Sequence, residues 1–247
     1  MKWGLLIWVL ACLGIELLLQ SWIRQELFTL TYRFTREPGC ALRLFSLLMF
    51  PGTLMHESSH FVSAILLGSH ISEVSLKPKY LESESRVELG SVTARDAGTI
   101  RNSIISIAPT IAGGSVILLV GWLIFDFPVV AETLEAGQWG QAMRHLASTF
   151  GSVWGWIGAY VIAVASVNMV PSSVDLESAV GLILLPIILL VPLSILYLTR
   201  SPVFALIVEN LNSILGWLSF ILTFTILLSI PVLFFLKLFT GGARPRA

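Results

Sequence analysis

The sequence His56-Glu57-Ser58-Ser59-His60 sets two imidazoles four residues apart. On a helix that spacing puts both on one face, so both can reach a single metal ion. Glu57 lies one step round the helix, where it can take a proton from a water without serving as a ligand. Zinc suits this chemistry, because it brings the pKa of a water it holds to near 7 and polarises carbonyls. The pattern predicts metal ligation by His56 and His60 and a general-base role for Glu57. All three lie inside an apolar stretch, residues 42–68. Two histidines and a glutamate are costly in hydrocarbon and persist there where they have work.

A catalytic zinc takes three protein ligands and keeps one position open. The candidates for the third are His70, His145, Asp96, Asp126, Asp175 and several glutamates. Asp175 ends "NMVPSSVD" (168–175), a proline-broken stretch between two apolar segments. Unwound backbone at membrane depth is tolerated where it lines a cavity. With the N-terminus in the cytosol, the fourth apolar segment ends on the same side as the second, which brings Asp175 toward His56. Glu177, two residues on, competes for the role if the register is shifted. His70 competes if the chain folds back after the motif.

These residues need a scaffold that holds them within a bilayer. Of 247 residues, 55% are hydrophobic and 12% charged, about half the charge of a soluble chain. The composition therefore predicts a multi-pass membrane protein in contact with the lipid bilayer. Fifteen basic residues balance fifteen acidic ones, which gives no sign of a nucleic-acid partner. Cys12 and Cys40 have no zinc-ligand spacing and read as packing residues. The first apolar run continues from "WGLLIWVLAC" through "LGIELLLQSW". That is too long for a signal h-region and fits a retained spanning helix.

Six apolar segments reach spanning length: 3–22, 42–68, 102–125, 150–170, 178–198 and 213–237. The predicted fold is mainly α-helical, with about six transmembrane helices and a small β-hairpin after the second. Residues 1–247 form a single polytopic domain whose catalytic helices lie within about 42–180. Residues 23–39 and 131–146 mix apolar and charged side chains and read as interfacial helices. The hairpin is expected in 70–101, where Val74, Leu76 and Pro78 alternate with Glu73, Ser75 and Lys77, and Val87 and Leu89 with Arg86, Glu88 and Gly90. An N-terminus in the cytosol puts nine lysines and arginines on that side and six on the other, so both termini are expected to be cytosolic.

The motif on the second segment, with "NMVPSSVD" after the fourth, resembles the site-2 protease family of intramembrane zinc metalloproteases. That family carries HExxH on one core helix and N-x-x-P…D-G two helices later. Asn168 and Pro171 match the N-x-x-P part, Asp175 matches the aspartate, and Leu176 stands where the glycine usually follows. "APTIAGG" (108–114) is similar to a small-residue stretch of the family. The resemblance implies one Zn2+ per chain held by His56, His60 and Asp175, with Glu57 as base. It implies a minimal form with no PDZ-like insertion. The implied activity is hydrolysis of peptide bonds in or near the transmembrane segments of membrane-protein substrates. Asn168 would bind the substrate backbone through its amide, or else hydrogen-bond a neighbouring helix. The hairpin, through the strands holding Val74 and Val87, would pair with an unwound substrate by β-augmentation. Two other readings fit the same residues: a metal-binding membrane transporter or sensor, and an inactive protease relative that binds membrane helices.

Overall fold

The computed structural model describes residues 3–76, 79–81, 86–94, 98–169, 175 and 202–241. In chain order these form α1 (Trp3–Thr35), α2 (Pro38–Leu66), β1 (Ile71–Ser75), β2 (Lys79–Leu81), β3 (Arg86–Glu88), β4 (Ser91–Ala94), α3 (Thr99–Ile124), α4 (Phe127–Glu135), α5 (Trp139–Thr149), α6 (Val153–Met169) and α7 (Pro202–Thr240). Among the described residues, four helices are long and apolar enough to cross a membrane: α1, α2, α3 and α7. A fifth span results if α5 and α6, which meet at 102°, are counted together. The fifth apolar segment of the sequence, 178–198, lies outside the described residues.

Residues 23–35 differ from expectation. They continue α1 without a break rather than forming a separate interfacial helix. No glycine or proline falls between Ile23 and Thr35; the first breakers are Pro38 and Gly39. Arg36 there takes a left-handed conformation, φ 54°. Glu37 then caps α2, accepting hydrogen bonds from the Gly39 and Cys40 N–H groups, with Pro38 in the first turn. At the other end Gly68, φ 68°, turns the chain out of α2. The Ser69 N–H donates to the Ala64 carbonyl and the Gly68 N–H to that of Ile65, a glycine-terminated Schellman cap. The motif helix is thus fixed at both ends by local sequence. The connection at 131–146 forms parts of two short helices, α4 and α5.

Between α2 and α3 lie two antiparallel ladders, β1 with β4 and, nested inside them in the chain, β2 with β3. Val74 pairs with Val92, and Tyr80 with Val87. The β1–β4 ladder packs on α2.

The helices that carry the site approach one another very closely. A Cβ on Gly52 of α2 would stand 2.3 Å from Asn168 Nδ2 and 2.7 Å from the Val164 carbonyl oxygen of α6. A Cβ on Gly113 of α3 would stand 2.3 Å from Met169 Cβ. Small residues let helices associate in lipid, where no hydrophobic force drives them together. On the far side of α6, Gln20 of α1 donates to Glu16 (2.5 Å) and to Ser166 Oγ (3.2 Å). Glu16 and Gln20 are both fully buried, so Glu16 faces neighbouring helices. The outer surface is apolar: Trp122, Leu123, Phe234 and Phe239 are all more than half exposed. Apolar outside and polar within suits a chain solvated by lipid.

Candidate metal centre

His56 and His60 project from one face of α2 with their rings edge to face, centroids 4.8 Å apart. Each ring is fixed from behind by a backbone carbonyl. The Nδ1–H of His56 donates to the Asn168 carbonyl oxygen of α6 (2.5 Å), and that of His60 to the Ile105 carbonyl oxygen of α3 (2.9 Å). A carbonyl oxygen only accepts, so the hydrogen of each neutral ring is held at Nδ1. Both Nε2 lone pairs are then left for a cation. Such backing also sets ring orientation at metal sites.

The two Nε2 atoms are 3.2 Å apart. The Asp175 carboxylate faces them both, its oxygens 3.3 Å from His60 Nε2 and 3.7 Å from His56 Nε2. Three electron-pair donors thus converge with both ring hydrogens turned away. Zinc bonds of about 2.0–2.2 Å at the tetrahedral angle separate neighbouring ligand atoms by about 3.3–3.6 Å. The 3.2 Å between the two Nε2 atoms and the 3.3 and 3.7 Å from them to different oxygens of Asp175 lie close to that range. Among the described residues, His56, His60 and Asp175 are the one group of three or more such side chains able to hold a metal ion. His60 is buried, and the His56 and Asp175 side chains are only 14% and 13% exposed.

The other candidate ligands stand elsewhere or outside the described residues. His70 is exposed just ahead of β1. His145 of α5 faces Asp126 at 3.5 Å, well exposed, in a separate pair. Asp96 and Glu177 lie outside the described residues.

Glu57 is buried, 7% exposed. Its side chain lies against the strand region: a Cβ on Gly90 would come within 2.9 Å of Glu57 Cγ, 3.2 Å of its Cδ and 3.1 Å of the Ser75 carbonyl oxygen. The missing side chain at 90 lets the strand region reach the carboxyl-bearing arm of Glu57.

Asn168 contributes in a way its residue type did not announce. Its side-chain amide donates to the Val164 carbonyl (2.9 Å) within α6, with Met49 Sδ 4.0 Å away. Its own carbonyl receives His56. This carbonyl stands one residue before the last described residue of α6. Thr110 of α3 serves the adjacent one, donating to the Met169 carbonyl at 2.9 Å. The end of α6 is therefore bonded to both α2 and α3. Val74, half exposed on β1, and Val87 on β3 both lie in paired strands.

Compared with known proteins, the chain matches no protein-family model, no curated protein and no solved structure.

Proposed function

We propose that the chain is an intramembrane zinc endopeptidase of the site-2 protease kind, with six spanning helices and both termini in the cytosol. It would hydrolyse peptide bonds in or near the transmembrane segments of other membrane proteins. The observation that carries this reading is the convergence of His56, His60 and Asp175 beside a buried Glu57 within apolar helices. His56, His60 and Asp175 would hold the zinc, and the chemistry such an ion would supply is activation of a water and polarisation of a carbonyl. Glu57 would take a proton from that water and pass it to the leaving amine. The Asn168 and Ile105 carbonyls keep both imidazoles turned toward the site. Peptide bonds in a membrane helix are shielded by lipid and by their own hydrogen bonds, so a substrate segment must unwind before it is cut. The strands holding Val74 and Val87 would pair with such a segment by β-augmentation.

The test is metal content and proteolysis on one preparation. Purified protein is expected to hold about one zinc per chain and to cleave a single-span substrate. His56→Ala together with His60→Ala should lose both. Full zinc occupancy in that double variant would sink the site.

A second expectation concerns Gly90. In Gly90→Ala the new methyl group must displace either Glu57 or the strand that carries Ser75. Misplacing a catalytic group by a fraction of an ångström to 1 Å lowers rates by roughly ten- to hundredfold. Cleavage should fall by that amount with zinc content unchanged. Full activity in Gly90→Ala would mean that Glu57 and the strand region are not in working contact.

A further inference from the structure

The carbonyl that backs His60 lies in the middle of a helix, where carbonyls are normally taken by the N–H four residues on. Ile105 is residue seven of the 26 in α3, and four residues on stands Pro109. Proline has no N–H, and its ring crowds the carbonyl of residue i−4 and pushes it off the helix axis. Both effects fall on the Ile105 carbonyl, the one that accepts from His60 Nδ1 at 2.9 Å. Pro109 itself is fully buried and lies inside the helix rather than at its end. A proline there disfavours the helix relative to alanine, and the His60 hydrogen bond gives that cost a use.

We propose that Pro109 is a positioning residue for the metal centre: by freeing the Ile105 carbonyl it fixes the tautomer and orientation of His60. The proposal rests on the metal-binding reading of His56, His60 and Asp175. With an N–H at position 109, the ordinary helical bond to Ile105 would compete with His60. The ring would then be free to turn or to carry its hydrogen at Nε2, the atom that faces Asp175 and His56. Loss of such a backing group typically lowers metal affinity 10- to 100-fold.

Two substitutions test this, because both restore the N–H while raising helix propensity to different extents. Pro109→Ala favours the helix more than Pro109→Gly does. Zn2+ affinity of each purified full-length protein is read by competition with a chromophoric chelator. The Co2+ visible spectrum reports coordination geometry. Pro231→Ala is the control, since Pro231 also lies inside a helix, α7, with its side chain exposed. The expected result is a 10- to 100-fold weaker affinity and an altered Co2+ spectrum in both Pro109 variants, with Pro231→Ala like wild type. Wild-type affinity and spectrum in Pro109→Ala overturn the proposal, and so does a loss confined to Pro109→Gly, which marks a stability effect. If the unaltered protein binds neither ion, the metal-binding reading itself has failed, and the two failures are thereby told apart.

Discussion

Glu57→Gln should abolish cleavage while leaving bound zinc in place. The amide has nearly the size of the carboxyl, so the packing of the side chain against Gly90 is kept. What is lost is the ability to accept a proton, and a positioned general base contributes about 10²- to 10⁴-fold to a rate. Glu57 lies outside the group formed by His56, His60 and Asp175, so zinc stoichiometry should hold at one per chain. The measurement is turnover of a single-span substrate in detergent or vesicles, with metal analysis of the same sample. This variant also separates the reading from its nearest rival. A metal transporter or sensor uses its ligands and not a base, so Glu57→Gln would leave its function largely intact. Proteolysis within about tenfold of wild type would show that Glu57 is not the base.

The two histidines were legible from the sequence because their spacing and the helical period fix their common face. The membrane setting was legible from composition, because apolar runs of this length have few other uses. The carbonyls of Asn168 and Ile105 were not. They are backbone groups, and which carbonyl meets which imidazole depends on how α2 packs against α6 and α3. One half of that was recoverable: a proline at 109 inside an apolar helix marks the carbonyl at 105 as free, though not what will bind it. Asn168 misdirects for the same reason, since its side chain draws attention while its backbone makes the contact with His56. Gly90 was visible only as one glycine in an alternating strand, and the approach to Glu57 is a long-range contact that alternation cannot encode. The length of α1 was misjudged because charged residues in 23–39 resemble an interfacial segment. A helix with no breaker simply continues.

The carboxylate of Asp175 is where sequence and structure lean on each other most. Sequence alone left it in competition with Glu177 and His70. The structure turns its oxygens toward both Nε2 atoms, at 3.3 and 3.7 Å, and leaves His70 exposed before β1. Charge gives an independent reason for a carboxylate here. Two neutral imidazoles bring no charge to a dication, and an unbalanced charge is costly in a low-dielectric interior. As carboxylates, Asp175 and Glu57 would together supply the two negative charges that balance it. Asp175→Asn keeps the shape and removes one of them, along with the better ligand atom. Zinc affinity should fall by more than the roughly 10- to 100-fold typical of losing a supporting group, and cleavage should fall with it. Adding excess zinc should restore activity only in part, because the amide oxygen is a poorer donor even when the site is filled. Glu177→Gln and His70→Gln should stay within a few-fold of wild type in both measurements. If Glu177→Gln instead strips the metal while Asp175→Asn keeps it, the third ligand is Glu177, and the hydrolase reading stands with the register shifted by two residues.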